Sequence, residues 1–303
     1  MAYFECRDDE FHPLPFSQSQ WSPDSINGSA LAGLTAHAVE SACSAAEYRP
    51  AKFTLDIFRQ PTFAPLQTET TVVREGRSIR IADVVVRQGD RTVARASMVS
   101  IRPTQDPPGS RWHPEGGSMT PPDQLIEALP NPGILWGSDE HPDRWSFAMP
   151  EHQNAGRKRL WFDQPQVISG MDNTPFVRAA MVGELTNTLT SWSDRGIGFI
   201  NHDVTILLSR LPISPVVGIE ADNHVAHSGI AAGAATMWDR HGRFGISLVG
   251  SVAHVAGSLN SASGPEQWAE ADRSYQPDFD STDQPRTGRG PWRSDHTNED
   301  QYE

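Results

Sequence analysis

The chain has 303 residues, 37% of them hydrophobic and 21% charged, which is typical of a globular protein with one large domain or two ordinary ones. Its formal net charge of −13 argues against a nucleic-acid partner, because binding to a phosphate backbone depends on clustered Lys and Arg. No apolar run is long enough to cross a membrane and the N-terminus lacks a signal-peptide pattern, so we expect a soluble, cytoplasmic protein without a membrane span.

The first half of the sequence predicts one helix followed by an antiparallel sheet. The stretch Ser29–Ala46 is rich in alanine, has apolar residues at helical spacing, and starts with Ser29 as the expected N-cap. A first strand is plausible at Ala2–Cys6. Alternating and β-branched residues predict the later strands at Ala51–Pro61, Thr68–Gly76, Ser78–Gln88 and Arg91–Pro103.

The second half repeats this order. A helix is predicted over Thr174–Trp192, where Thr174 is the N-cap and Pro175 occupies the first helical position. Strands are expected at Arg144–Met149, Lys158–Phe162, Ile200–Pro212, Pro215–Asn223, Gly229–Asp239 and Arg243–Val255. Helix followed by sheet therefore occurs twice along the chain.

An internal repeat supports this duplication. Thr54 and Thr205 hold the same place in two similar strands that are 151 residues apart. In this alignment Lys52 occupies the position of Asp203. If the repeat is a duplication, the first copy has lost its acid at Lys52, which leaves at most one working site per chain. A lysine that extends into solvent at a strand end is the competing interpretation, and base rates favour it.

Composition divides the chain into four parts. We predict a first unit at residues 1–103, a connection rich in Pro and Gly at 104–141, a second unit at 142–262 and a disordered acidic tail at 263–303. The two cysteines, Cys6 and Cys43, have neither CxxC nor metal-ligand spacing, so we expect no disulfide, no metal and no cofactor.

Several stretches resemble one known family. They are LDIFRQPTFAPL, VREGR and VARA in the first half and FINHDVTILLSRLP, GIEADN and MWDRHGRFG in the second. Together they resemble the acyl-CoA thioesterase II-like, double-hotdog family over about residues 4–255. The resemblance implies an α+β double hotdog, in which two helix-wrapping antiparallel sheets are fused in one chain.

The resemblance also implies a reaction, the hydrolysis of an acyl-CoA thioester by an activated water molecule. In the family, an aspartate at the start of the strand after the second helix, a Thr or Ser on the next strand and a Gln on the last strand hold that water. Asp203 matches the aspartate, and the Thr/Ser position falls on Asn223 or Asp222. The Gln position falls on Val249 or Gly250, and neither can act as a glutamine.

Chemical reasoning gives these residues roles. Asp203 would take a proton from water, Asn223 would orient the water, and the amides at a helix N-terminus would bind the carbonyl oxygen. The alternative for Asp203 is a solvated strand-start carboxylate, and for Asp222 and Asn223 it is a turn.

The leading hypothesis is hydrolysis of a medium or long acyl-CoA. The alternative is a non-catalytic double hotdog that binds acyl-CoA or lipid and has lost the catalytic glutamine. A hydratase of the same fold is a third option, for which the sequence offers no paired acid and histidine. The sequence leaves further assembly into a homo-oligomer open.

Overall fold

The computed structural model describes residues 1–112 and 119–254. The tail predicted at 263–303 and the end of the second predicted unit, 255–262, lie outside the described residues. The helices in the described part are α1 (Gly28–Cys43), α2 (Asp123–Glu127), α3 (Pro175–Glu184) and α4 (Thr186–Thr190), with 3-10 turns at Pro15–Ser17 and Met149–His152. None of the helices within these ranges is long and apolar enough to cross a membrane.

The strands of the described part follow the same two-part order along the chain. They are β1 (Ala2–Arg7), β2 (Glu10–Pro13), β3 (Arg49–Ile57), β4 (Gln67–Glu75), β5 (Ile79–Gln88), β6 (Arg91–Ile101), β7 (Gly133–Ser138), β8 (His141–Ser146), β9 (Lys158–Asp163), β10 (Gln166–Ile168), β11 (Trp192–Ser193), β12 (Gly196–Ile197), β13 (Phe199–Asn201), β14 (Asp203–Leu208), β15 (Val217–His227), β16 (Ile230–Asp239) and β17 (Gly242–Ala253).

Within the described residues, twelve strands form one antiparallel sheet. Its order is β4-β5-β6-β3-β14-β17-β16-β15-β9-β7-β8, and β13 also pairs with β17. The two repeated units meet where β3 pairs with β14. Thr54 lies directly opposite Thr205, while Asp203 lies opposite Asp56 and Lys52 opposite Leu207. The threonines that the repeat makes equivalent therefore lie on the pseudo-twofold axis between the units.

Helices α1, α3 and α4 lie on the inner face of this sheet and share one buried core with it. Phe53 of β3 contacts Phe176 of α3 edge to face, with ring centroids 5.7 Å apart, and both side chains are fully buried. Small residues let the helices approach closely. This is the α+β double-hotdog architecture that was predicted.

Helix α1 is capped by Asn27, so the prediction that Ser29 is the N-cap was wrong. The side chain of Asn27 accepts a hydrogen bond from the backbone N–H of Ala30 at 2.7 Å. Ser29 lies inside the helix, and its hydroxyl donates to the backbone carbonyl of Met181 at 3.2 Å. Asn and Ser are similarly good N-caps, so local preference did not decide between them.

The helix predicted as continuous over Thr174–Trp192 is interrupted at Leu185, between α3 and α4. The carbonyl of Gly183 accepts hydrogen bonds from the hydroxyls of Thr186 at 2.6 Å and Ser247 at 2.9 Å. Hydroxyl groups that bind a backbone carbonyl compete with the helical hydrogen bonds and bend helices. Glu184 is thereby left at the end of α3.

The segment predicted as a connection, 104–141, contains ordered elements. β7 pairs with β9 inside the main sheet, and α2 packs on the outer face of the sheet. There it covers Leu135 and Trp161, and the indole N–H of Trp161 donates to the carbonyl of Met119 at 3.1 Å. The boundaries assigned to the two units stay predictions.

Candidate active site

Helices α1 and α3 run antiparallel, so the start of each lies beside the end of the other. Near the start of α1, Ser29 bonds to Met181 of α3. Near its end, Glu40 accepts a hydrogen bond from the hydroxyl of Thr174 at 2.5 Å, and Thr174 caps α3 as predicted. The first amides of a helix have no intrahelical partner and carry positive partial charge. The fold thus has two places where a carboxylate can meet the start of a helix.

Glu184, the last residue of α3, occupies the place beside the start of α1. The residue is 8% exposed. A methyl group built on Gly28 would lie 1.9 Å from its Oε1 atom, so only a glycine leaves room for this carboxyl group. Asn201 of β13 donates from Nδ2 to the same Oε1 atom at 3.2 Å. One carboxylate oxygen is therefore held in place by a neighbouring amide.

Burial changes the acidity of this group. Desolvation raises the pKa of Glu184 to about 7, because it penalises the carboxylate by more than the hydrogen bond from Asn201 stabilises it. A carboxyl group that titrates near neutrality can accept a proton and give it back during a reaction.

Tyr3 of β1 contacts Ser29, which lies in the first turn of α1. The hydroxyl of Tyr3 donates a long hydrogen bond of 3.4 Å to Oγ of Ser29. Burial is the main cause that raises the pKa of Tyr3; the hydrogen bond to Ser29 opposes it, and the negative charge of Glu184 adds to it. Tyr3 stays protonated in consequence and remains a hydrogen-bond donor near the carboxylate.

A second buried polar group lies one turn further along, around Asn187 of α4. Its Oδ1 atom accepts from the hydroxyls of Ser251 at 2.7 Å and Ser191 at 3.1 Å, and its Nδ2 atom donates to the carbonyl of Phe199 at 2.9 Å. Buried amides that are bonded at both ends rigidify their surroundings. Asn187 therefore holds α4 against β13 through Phe199 and against β17 through Ser251, one turn after Glu184.

At the start of α3, the carboxyl group of Glu40 has different hydrogen-bond donors from those that surround Glu184 at the start of α1. Burial raises the pKa of Glu40, and the hydrogen bond from Thr174 opposes this rise. The hydroxyl of Thr174 also takes up one acceptor oxygen of Glu40, its Oε2 atom. The next residue, Pro175, has no N–H group, so the start of α3 offers one amide donor fewer than the start of α1.

Asp203 starts β14 as predicted, but its side chain lies on the outer face of the sheet. Ile206 faces α3, because its Cδ1 atom would lie 2.4 Å from a methyl group on Gly183. Alternate residues of a strand point to opposite faces, so Asp203 points away from the helices and from Glu184. Its Oδ1 atom accepts a hydrogen bond from the backbone N–H of Gly250 at 2.7 Å, and its side chain is 31% exposed.

The structure does not bring Asp222 and Asn223 to Asp203. Both lie at a bulge inside β15, so the alternative that they form a turn was wrong, and β16 and β17 separate β15 from β14. Asp222 accepts a hydrogen bond from the hydroxyl of Thr236 at 2.7 Å, and Asn223 is exposed. The catalytic roles of these three residues stay predictions, and the three do not form a cluster.

The two residues at the predicted glutamine position lie on opposite faces of β17. Val249 is buried on the side of the helices, whereas Gly250 lies on the outer face beside Asp203. Ser251, the next residue, is on the helix side and bonds to Asn187. A polar side chain of the last strand thus does reach the inner face, one residue beyond the position that the sequence indicated.

Glu184 is not among the site residues predicted from the sequence. The predicted helix was described by its apolar and small residues, although a glutamate stands between Gly183 and Leu185 in that stretch. A glutamate is almost never buried unless it is paired, so its presence within a buried helix was the available signal. Glu40 near the end of the first predicted helix repeats it.

Two family models match the sequence of the chain. The acyl-CoA thioesterase N-terminal domain matches residues 17–101, and the acyl-CoA thioesterase C-terminal domain matches residues 121–257. Among curated proteins, no sequence matches this chain.

Solved structures with little sequence identity share the fold. The tesB protein of Mycobacterium avium subsp. paratuberculosis is 16% identical, with a TM-score of 0.58 over 81% of this chain and 92% of its own. For the acyl-CoA thioesterase II TesB2 of Mycobacterium marinum the identity is 12% and the TM-score 0.57, over 82% of this chain and 93% of its own. A hot dog fold protein of unknown function from Alicyclobacillus acidocaldarius is 14% identical, with a TM-score of 0.58 over 83% and 96%.

Proposed function

Because the chain belongs to the acyl-CoA thioesterase family, we propose that it hydrolyses an acyl-CoA thioester with Glu184 as the general base. The observation that carries this proposal is the carboxyl group of Glu184, which is buried beside Gly28 at the start of α1 and has a pKa of about 7. A base is most effective when its pKa lies near the working pH.

The proposed reaction needs no covalent intermediate. The ionised Glu184 takes a proton from water while the water oxygen attacks the carbonyl carbon of the thioester. The carbonyl oxygen becomes an oxyanion, which accepts hydrogen bonds from the first N–H groups of α1, including that of Gly28. When the C–S bond breaks, the departing thiolate of coenzyme A takes the proton from Glu184.

The proposed acyl group is medium or long. A chain that is buried between a helix and the sheet gains about 0.8 kcal/mol per methylene, so affinity rises with chain length until the available depth is filled. Polar contacts with the acyl chain are not required for such selection. A panel of acyl-CoA chain lengths measures this depth directly.

The test is the rate of thiol release from that panel by the wild type, Glu184→Gln and Asp203→Asn. We expect Glu184→Gln to lower kcat/KM by about 10²–10⁴-fold, the usual contribution of a general base. The matched control is Glu40→Gln, which removes the carboxylate at the pseudo-symmetric place, and it is expected to stay close to the wild type. Loss of activity in Asp203→Asn with an active Glu184→Gln would instead assign the base to Asp203.

A non-catalytic acyl-CoA-binding protein is the second candidate function. Val249 and Gly250 at the predicted glutamine position favour it, because neither side chain can orient a water molecule. Tight binding of acyl-CoA by the wild type, measured by calorimetry, together with no thiol release across the panel would establish this function and reject hydrolysis.

A further inference from the structure

Two buried hydroxyl groups, those of Tyr3 and Ser29, lie at the junction that holds Glu184. Tyr3 is 3% exposed and Ser29 is 5% exposed. Ser29 directly follows Gly28 on α1, and Gly28 is the residue against which the carboxyl group of Glu184 packs. The carboxylate of Glu184 is also close enough to Tyr3 to act on its phenol electrostatically. The two hydroxyls and the carboxyl group therefore share one buried polar region.

The hydroxyl hydrogen of Ser29 is committed to the end of α3. It is donated to the carbonyl of Met181 at 3.2 Å. That carbonyl has lost its helical partner, because the backbone N–H of Leu185 bonds to the carbonyl of Val182 at 3.1 Å instead. A hydroxyl oxygen can accept two hydrogen bonds, and Tyr3 supplies only one. Towards any further molecule, Oγ of Ser29 is therefore an acceptor.

The hydroxyl of Tyr3 has a poor hydrogen-bond partner. Its distance of 3.4 Å to Oγ of Ser29 exceeds the range of about 2.5–3.0 Å that is usual between two oxygens. The ring of Tyr3 is stacked on Phe16, with centroids 5.9 Å apart, which holds the phenol at this distance. Buried hydroxyls are almost always well bonded, and a long polar contact often has a water molecule beside it. Tyr3 thus has a donor to offer to a third group.

One oxygen of Glu184 is open to water. Asn201 donates to Oε1, whereas no residue in the described ranges donates a hydrogen bond to Oε2. Oε2 is also not one of the fully buried, unpaired polar atoms of this part of the chain, so water can reach it. A water molecule bonded to Oε2 touches the proposed base at the end of α3, beside the first turn of α1.

We propose that Tyr3 and Ser29 position the attacking water for Glu184, an inference that rests on the proposed function. The water donates one hydrogen to Oε2 of Glu184 and the other to Oγ of Ser29, and it accepts a hydrogen bond from the hydroxyl of Tyr3. Its remaining lone pair faces the thioester carbon. As this lone pair forms the C–O bond, the first hydrogen passes to Glu184 and the carbonyl electrons move onto the carbonyl oxygen. The two hydroxyls supply the orientation that neither Val249 nor Gly250 can provide.

The test is kcat and KM for thiol release by Tyr3→Phe and Ser29→Ala, each alone and each combined with Glu184→Gln. Tyr3→Phe keeps the ring that stacks on Phe16. We expect each single variant to lower kcat about tenfold, the equivalent of one hydrogen bond, and to leave KM within about twofold of the wild type. Because the hydroxyls act on the water that Glu184 deprotonates, each should change kcat by less than about twofold in the Glu184→Gln background.

Thr35→Val is the matched control. Thr35 is another fully buried hydroxyl residue of α1, but its hydroxyl bonds only to the carbonyls of Leu31 and Ala32 in its own helix. Its kcat is expected to stay within about twofold of the wild type. If Ser29→Ala fails to fold by circular dichroism, Tyr3→Phe decides alone.

Wild-type kcat in Tyr3→Phe and Ser29→Ala, together with an inactive Glu184→Gln, overturns this inference and leaves the proposed function standing. An equal fall of kcat with and without Glu184 shows that the hydroxyls only support packing, and it overturns the inference as well. A Glu184→Gln variant as active as the wild type overturns the proposed function, and this inference with it.

Discussion

At Glu184 the protein keeps a carboxyl group where its charge is costly. The pKa of this group is about 7 in the folded protein, against an ordinary value of 4.5. Between pH 4.5 and 7 the unfolded chain loses the proton first, so the stability that the protonated form contributes is fully present below pH 4.5 and is lost as the pH rises to about 7. A pKa that rises from 4.5 to about 7 corresponds to a loss of about 3 kcal/mol in the free energy of unfolding.

The variant Glu184→Gln should therefore be more stable than the wild type at high pH. A glutamine is neutral at every pH and can still accept the hydrogen bond from Asn201, so the difference in unfolding free energy should grow from pH 5 to pH 8 by about 2 kcal/mol. Urea denaturation at both pH values measures it. A difference that does not change with pH would contradict the buried, raised pKa of Glu184.

The activity of the wild type should have the opposite pH dependence. Only the ionised carboxylate can take a proton, so kcat/KM should rise about tenfold per pH unit below the pKa of Glu184 and level off above it. The pKa is about 7 in the free protein. A profile of thiol release between pH 5 and 9 checks this, and a plateau that extends to pH 5 would point to a base with an ordinary carboxylate pKa.

The residues of the site were predictable only in part. Asp203 was found because a carboxylate before a buried strand is conspicuous, and its position at the start of β14 was correctly predicted. The face to which it points depends on the strand register, which one residue of slip would reverse. The buried glutamate itself was visible in the sequence, but its place beside the start of α1 was not, because its neighbours Gly28 and Asn201 are distant in sequence.

At the scale of elements, the start of α1 contacts the end of α3 through Gly28 and Glu184. Gly28→Ala tests this contact, because its added methyl group would displace the carboxyl group of Glu184. We expect kcat to fall at least tenfold, since a displacement of about 1 Å at a reacting group can cost about 10²-fold. The fold should persist, because the glutamate side chain can swing away and alanine favours helices over glycine.

Gly33→Ala on the same helix is the control for that prediction. Its methyl group would meet the side chains of Val167 at 2.6 Å and Met181 at 3.0 Å, which are apolar. Thermal unfolding should register this variant as less stable, while its kcat should change less than that of Gly28→Ala. Equal losses of kcat in both variants would mean that α1 acts only through packing.

The elements themselves were predicted well where their patterns are long. The strands β4, β5, β6, β16 and β17 lie where alternation and turn residues placed them, whereas β15 continues to His227, past its predicted end at Asn223. The break at Leu185 was missed because one of the two hydroxyl groups that bond to the carbonyl of Gly183 belongs to Ser247, which is distant in sequence. β7 was missed because Pro and Gly flank the short stretch GILWGS.

At the scale of the whole molecule, the two units share one core and should unfold together. Phe53 belongs to the first unit and packs on Phe176 of the second. We expect Phe53→Ala to cost about 3–5 kcal/mol and to shift a single cooperative transition. Tryptophan fluorescence and far-UV circular dichroism should give the same midpoint; two separate midpoints would show that the units unfold independently.

The antiparallel pairing of α1 and α3 also bears on how such a chain can evolve. In a dimer of identical subunits, each helix would need an N-terminus that accommodates a carboxylate and a C-terminus that carries one. Any substitution would then change both sites at once. Fusion into one chain removes that constraint. Here Gly28 adapts one helix start to a carboxylate, whereas Pro175 and Thr174 are free to serve as a firm cap on the other. Covalent linkage thus allows the two helix starts to differ in sequence, as they do here.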